Sequence, residues 1–468
     1  MVLEQFYLGC LSHASYLIGS DGIAAIVDPQ RDVEIYLEAA QQHGVQISHV
    51  IETHLHADFV SGHVELARRT GATIYLGEGS GAKFAHRAVK DGDEIRFGKC
   101  NLRFLQTPGH TIESVCILLT DLERGPGPYA VFTGDTLFIG DVGRPDLDAT
   151  HTPRELARLL YDSLHEKLLT LPDKVLVYPA HGAGSMCGKN ISSERSSTIG
   201  RERQFNYALR PMTRDEFVDR VTDGLPERPE YFGRDVDMNR QGATALADLP
   251  ALKPLAPKQV ENLRDRGAII LDTRPAAAFS SGHVPDSINI GLGGQFAAWA
   301  GSVVGLDRDL ILLGEDLHSI EEARYRLARV GIERVSGYLA DGIPGWIQQG
   351  FPLDTLDQWS VRDLNTELTS DAPPCVLDVR RYPEWNDGHI PGALHRPLDQ
   401  LRHSLRSLDR RARFAVHCKT GYRSAIACSL LKASGFDRVA NVVGGYDAWV
   451  AAGFPTVHDA SEQPAVLV

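Results

Sequence analysis

The chain has 468 residues, 43% of them hydrophobic and 23% charged, with a formal net charge of −13. That length calls for two to four domains, and that balance describes globular domains and excludes a disordered or fibrous chain. The acidic excess argues against a nucleic-acid or anionic-membrane partner, because gripping phosphates needs surplus Lys and Arg, although local basic pockets stay compatible with it.

No apolar run approaches the length of a membrane span. The opening Met1-Val2-Leu3-Glu4-Gln5 puts an acid where a secretion signal carries positive charge, so a cytoplasmic location is expected. The cysteines at 10, 100, 116, 187, 375, 418 and 428 form no close pairs. A disulfide framework or a cysteine zinc site is therefore not expected, and each thiol is read singly.

In chain order, short apolar strands such as Ile23–Val27 and 49–51 alternate with stretches such as 33–42, whose apolar residues recur every three to four positions, an α/β pattern. Thr53-His54-Leu55-His56-Ala57-Asp58 lies between a β-rich run at 48–52 and a predicted helix over 61–70. Pro108-Gly109-His110 and Gly134-Asp135 follow apolar runs at 102–105 and 130–132, and Ala180-His181 opens a glycine-rich loop. Ligand-type residues at four strand ends can converge on one ion.

Gly143-Arg144-Pro145-Asp146 follows closely on Asp135, and Cys187 sits in the loop Gly182-Ala183-Gly184-Ser185-Met186-Cys187-Gly188-Lys189, where glycine permits close backbone approach to a ligand. Cys187 is either a thiol that touches a sulfur substrate or filler in a tight loop. Lys189, Arg195, Arg201 and Arg203 offer positive charge for an anionic carrier thiol, or are solvated surface.

The segment 246–257, rich in Ala, Leu and Pro, interrupts the periodicity and reads as a linker. Beyond it the chain repeats itself after about 105 residues, long enough for each copy to be a small domain. Leu271-Asp272-Thr273-Arg274 matches Leu377-Asp378-Val379-Arg380, and Gly282-His283-Val284-Pro285 matches Gly388-His389-Ile390-Pro391. The expected domains are 1–250, 251–356 and 357–468.

A β-type run at 413–417 ends at Cys418, and 423–434 reads as a helix, so the thiol is expected among backbone N–H groups that lack intrahelical partners. That setting favours thiolate, and Lys419 and Arg423 would reinforce it. In the first copy Gly314 falls opposite Cys418 and Ser319 opposite Arg423. With no thiol, that copy cannot carry sulfur.

The His-x-His-x-Asp, Pro-Gly-His, Gly-Asp and Ala-His pieces, in that order, resemble the metallo-β-lactamase superfamily, an αββα sandwich with metal ligands on loops at strand ends. Binuclear hydrolases of that superfamily continue His-x-His-x-Asp-His, whereas this chain has Phe59 in the last position, and a phenyl ring cannot replace an imidazole. The resemblance then implies the persulfide dioxygenase branch, with His54, His110 and Asp135 holding one Fe(II) per chain as a facial triad. His56, Asp58 and His181 would be outer groups that orient ligands or hold water. Zinc with His56 as a ligand stays open. Arg144 and Asp146 look like the Gly-Arg-x-Asp element found beside the metal in that branch; a salt-bridged loop support is the alternative.

Residues 358–456 resemble rhodanese sulfurtransferases through Cys418-Lys419-Thr420-Gly421-Tyr422-Arg423, Asp378-Val379-Arg380 and Gly444-Gly445-Tyr446-Asp447-Ala448-Trp449. The first copy resembles a rhodanese without its cysteine. The whole order is similar to bacterial fused persulfide dioxygenase–sulfurtransferases. It implies O₂-dependent oxidation of a thiol persulfide, glutathione or coenzyme A persulfide, to sulfite and thiol, with Cys418 passing sulfane sulfur to sulfite to give thiosulfate, and a homo-oligomer as the family expectation. Two other readings stand beside it: a zinc-dependent, glyoxalase II-like thioester hydrolase fused to a sulfurtransferase, and a non-catalytic sulfur relay.

Overall fold

The computed structural model describes residues 1–148, 150–225, 228–305 and 308–458. The end of the third expected domain, 459–468, lies outside them. The chain divides into two compact units, Met1–Leu249 with Ala328–Gly331, and Pro250–Leu327 with Ile332–Val468.

The strand His13–Ser20 is buried at every position because both of its faces are covered. Ala14, Tyr16 and Ile18 pack with Val27, Phe104, Ile117 and Phe132, while Leu17 packs with Tyr36, Ala40 and Leu66. The first group is the seam between two six-stranded sheets. One sheet runs from Val2–Leu8 to Arg87–Val89; the other has the order Ser197–Thr198, Leu176–Pro179, Ala130–Gly134, Val115–Asp121, Cys100–Gln106, Glu94–Phe97.

The helices Glu34–His43 and His63–Thr70 cover the outer face of the first sheet, and Pro153–Ser163 and Arg214–Thr222 cover that of the second. The first unit is therefore an αββα sandwich. Burying one aromatic ring of the seam, such as Phe104 or Phe132, contributes roughly 1.5–3 kcal/mol. Local signals fix the helix ends: Gly44 closes Glu34–His43 in the left-handed conformation, and Thr152 with Glu155 forms a capping box before Pro153.

The second unit holds two five-stranded parallel sheets with the same spatial order, which makes the sequence repeat visible as architecture. In the first, Ile269–Asp272 lies between Leu310–Leu313 and Ile288–Asn289; in the second, Cys375–Asp378 lies between Phe414–His417 and Leu394–His395.

The stretch 246–257, expected to be linker throughout, is more ordered than that. Pro254–Leu255 pairs with Tyr338 and Leu339 as the edge strand of the first parallel sheet, and Pro257 opens a helix. A proline without an N–H is tolerated at an edge and at a first helical turn. Among the described residues no helix is long and apolar enough to cross a membrane.

Candidate metal centre and thiol site

Loops at the ends of Gln46–Ile51, Cys100–Gln106 and Ala130–Gly134 carry His54, His110 and Asp135. Their ligand atoms all lie within 4.8 Å of one another. His110 Nε2 is 3.4 Å and His54 Nε2 3.9 Å from Asp135 Oδ2. All three side chains are buried, and among the described residues both Nε2 atoms and both carboxylate oxygens lack a hydrogen-bond partner. Buried polar atoms left open in this way need a partner.

The outward nitrogens are already fixed. Thr53 Oγ1 donates to Asp28 Oδ2 at 2.9 Å, so its lone pair receives the Nδ1–H of His54 at 3.0 Å. His110 Nδ1–H donates to the Arg144 carbonyl at 2.9 Å. Each ring therefore turns a bare Nε2 lone pair inward. Burial, helped by His56 and His110, holds the His54 pKa well below the usual histidine range, and burial lowers that of His110 although Asp135 opposes it. Two neutral imidazoles and a carboxylate with free lone pairs fit a divalent cation.

A second group lies beside the first. His181 Nε2 is 3.4 Å from Asp58 Oδ2 and 3.6 Å from Asp135 Oδ1. His56 turns to Asp28 Oδ1 at 3.2 Å and Glu52 Oε2 at 3.3 Å, and Glu52 Oε1 lies 3.1 Å from His63 Nδ1. Burial disfavours charge on His56, but Asp28 and Glu52 outweigh it and raise its pKa. The buried Phe59 ring packs on His13 and His56, with centroids 4.1 and 4.4 Å apart.

Sequence reasoning missed Asp28, Glu52, His63 and His13. The one available signal was Asp28, an acid at the end of the apolar run Ile23–Val27.

Arg144 pairs with Asp146 in two bonds of 2.7 and 2.9 Å and donates to the Met186 carbonyl, so it braces its loop, while its own carbonyl orients His110. Cys187 is buried with its sulfur grouped with Asp135 and His181; burial, then Asp58 and Asp135, pushes that thiol's pKa up. The cations expected to attract a carrier thiol are engaged elsewhere. Lys189 Nζ donates to the carbonyls of Arg220 and Asp223, Arg201 pairs with Glu194, Arg203 with Asp173, and Arg195 lies over Tyr7.

Cys418 follows Phe414–His417 and precedes the helix Tyr422–Ala433. The Gly421 N–H donates to its sulfur at 3.1 Å, and Ser424 Oγ lies 3.6 Å away. Gly421, at φ +116°, takes a backbone conformation that suits glycine. Tyr446 N and Asp447 N hold the carbonyls of Cys418 and Lys419, which fixes the loop from behind. Arg423 was expected to support the thiolate directly; it is bonded in two places to Glu384, at 2.6 and 2.7 Å. The opposing carboxylate is matched to its fork, which a lone thiolate is not.

Both repeats keep one clamp. Arg380 grips Asp378 and the Gly388 carbonyl, and Arg274 grips Asp272 and the Gly282 carbonyl. Only the second adds a thiol, for Gly314 follows Leu310–Leu313 where Cys418 follows Phe414–His417.

Residues 8–181 match the metallo-beta-lactamase superfamily, and 256–349 and 360–452 each match the rhodanese-like domain. The mitochondrial persulfide dioxygenase of Homo sapiens is 32% identical over 204 residues, which cover 42% of this chain and 74% of that protein. A hydroxyacylglutathione hydrolase of Polaromonas is 30% identical over 258 residues, 49% of this chain and 93% of that protein. A solved structure from Staphylococcus aureus, titled a metallo-beta-lactamase, is 33% identical with a TM-score of 0.65, covering 72% of this chain and 98% of that one.

Proposed function

We propose that this chain, which belongs to the metallo-β-lactamase superfamily in its first half and carries two rhodanese-like domains in its second, joins a persulfide dioxygenase to a sulfurtransferase. The assigned parts are 1–250 for oxidation, 251–356 as a thiol-less rhodanese and 357–468 for sulfur transfer. One observation carries the reading: a buried donor set of His54, His110 and Asp135 with every inward lone pair open, in the same chain as a thiol cradled at a helix start.

His54, His110 and Asp135 would hold one Fe(II), which supplies O₂ activation when bound. The chain's own residues keep both rings in one tautomer through Thr53 and the Arg144 carbonyl, and exclude water by burial. The balanced overall reaction is R–S–SH + O₂ + H₂O giving R–SH, sulfite and two protons. At the second site the Cys418 thiolate attacks the sulfane sulfur of another persulfide, RS⁻ leaves, and sulfite then takes that sulfur as thiosulfate and restores the thiolate. Candidate carriers are glutathione and coenzyme A, and a cytoplasmic homo-oligomer is part of the proposal.

The test is an oxygen electrode with iron-loaded protein and glutathione persulfide, with sulfite and thiosulfate measured together. We expect oxygen uptake, with Cys418→Ser leaving uptake in place but shifting product from thiosulfate to sulfite. No uptake sinks the oxidative reading, and unchanged thiosulfate sinks the coupling. A hydrolase reading is favoured by Asp58 and His181 beside Asp135 and by the similarity to hydroxyacylglutathione hydrolase. Two zinc ions per chain with thioester cleavage would establish it instead.

A further inference from the structure

The first compact unit takes in four residues from far along the chain, Ala328–Gly331, where the helix Leu317–Ala328 of the thiol-less repeat ends. Three fastenings hold them there. The buried Arg31 side chain donates from Nη1 to the Ala328 carbonyl at 2.5 Å and from Nη2 to the Thr244 carbonyl at 2.9 Å. Arg329 sets Nε, at 2.9 Å, and Nη2 on the one oxygen Asp32 Oδ2, and turns Nη1 towards Cys10 Sγ at 3.6 Å. Gly331, at φ +68°, packs so closely on the helix Tyr231–Gln241 that a Cβ there would collide with Asp235 Oδ1 and stand 3.0 Å from Met238 Sδ.

These fastenings converge on the metal loop. Between Ile51 and His63 the chain has neither strand nor helix, so groups outside it set its path. Glu113 accepts the Leu55 N–H at 3.0 Å, and Asn239 accepts the Ser61 N–H and donates to the carbonyls of His56 and Phe59, each at 2.8 Å. The Val60 N–H donates to the Arg329 carbonyl at 2.7 Å. Val60 is buried, so without Arg329 in place that N–H would be an unmet donor. The Phe59 ring just before it is the one that packs on His13 and His56.

At the same helix end of the thiol-bearing repeat, Ala433 stands in place of Arg329 and Gly435 in place of Gly331, and the nearest atom to a Cβ on Gly435 would be Arg410 Nη1 at 3.8 Å. The ion pair and the crowded glycine belong to the copy that has no thiol.

We propose that Arg329 and Gly331 are positioning residues for the metal centre: they seat the Arg329 carbonyl on Val60 and so fix the loop that runs on from His54, which gives four residues of the thiol-less repeat a task in the metal unit. This rests on the reading of His54, His110 and Asp135 as metal ligands. If the segment shapes the loop for an ion, the ion steadies the segment by the same free energy, because coupling between two sites is reciprocal. A brace that only holds the fold does not respond to the ion.

The experiment is hydrogen–deuterium exchange, read by peptide mass spectrometry, on the unmodified full-length protein, metal-free and loaded with Zn(II). Exchange in 54–62 and in 326–332 is expected to slow together on loading, by about tenfold, while 430–436 of the other repeat stays within about twofold. No slowing in 326–332 while the protein retains the ion overturns the proposal. Failure to retain any ion overturns the metal reading itself, and this proposal with it.

Arg329→Ala is expected to bind Co(II) about tenfold more weakly and to change the visible ligand-field bands of the Co(II) protein. Thiocyanate formed from thiosulfate and cyanide at Cys418 reports that the second unit stays folded. Unchanged affinity, or weaker affinity with unchanged bands, overturns the part given to Arg329. If Arg329→Ala fails to fold, exchange on the unmodified protein decides alone.

Discussion

Gly143 shows how finely the metal loop is spaced. A Cβ there would sit 2.0 Å from the Asp135 carbonyl and 2.9 Å from His110 Nδ1, so the backbone must shift to admit any side chain. Gly143→Ala is expected to cost about 1–3 kcal/mol, as overpacked sites do, and to lower bound metal; urea denaturation with elemental analysis checks both, and full metal content at unchanged stability would refute it. Asp135→Ala is expected to abolish oxygen uptake while thiocyanate formation from thiosulfate persists. At this scale the sequence was partly legible. Ligand-type residues at strand ends marked the site, the family resemblance singled out His54, His110 and Asp135 among them, and the structure brings these three together. Glu52 and His63 were not legible, because a side chain that anchors a neighbour leaves no periodic or motif signal, and Asp28 showed only as an acid after an apolar run. Lys189 and Arg423 show the converse limit: their charge was legible, but not the carbonyls and carboxylate that absorb it.

Among elements, strand ends that pair alike can titrate unlike. In the thiol-bearing repeat Asp378 pairs with His417 across parallel strands, and in the other Asp272 pairs with Leu313. Burial pushes the Asp378 carboxyl up, but His417 and Arg380 overcome it and hold its pKa below the usual carboxylate range; on Asp272 burial prevails over Arg274 and the pKa rises. For Asp378 the folded value is depressed, so its stabilisation is present above the unfolded pKa of roughly 3.9 and is lost as pH falls through the folded one. Burial lowers the His417 pKa although Asp378 opposes it, so protonation of the unfolded chain below about pH 6.5 works against wild type and not against His417→Leu. The stability gap between the two should therefore be widest near neutral pH and narrow as pH falls; denaturation curves at several pH values check this, and a constant gap would refute it. The helix Tyr422–Ala433 also packs on the strand of the first repeat, where Ser429 Oγ accepts the Asn289 N–H at 2.9 Å. Ser429→Ala orphans that buried donor and should cost about 1–3 kcal/mol, read as a lower denaturation midpoint. The helix itself was legible to within one residue at each end. Its seat on the other repeat was not, since a contact 140 residues away in the chain has no local pattern.

For the whole molecule, the two compact units separate the metal donors from the thiol loop. Chelation is therefore expected to stop oxygen uptake and leave thiocyanate formation from thiosulfate within twofold of untreated protein; loss of both would mean that the ion also supports the second unit. The α/β alternation and the repeat were legible in the periodicity and in a clamp motif written twice, whereas the αββα layering was what the resemblance of the His and Asp motifs implied. The edge strand Pro254–Leu255 was hidden because composition marked the stretch as linker, while its pairing partners stand more than 80 residues away.

A Cβ on Gly314 would meet Ile320 at 2.7 Å and Ser319 at 2.8 Å, so neighbouring side chains have closed over the place where a sulfur would stand. Gly314→Cys alone is therefore not expected to give this repeat a working nucleophile: the sulfur would have to displace Ile320 and Ser319, and Glu315 and Asp316 stand where Lys419 and Thr420 follow Cys418.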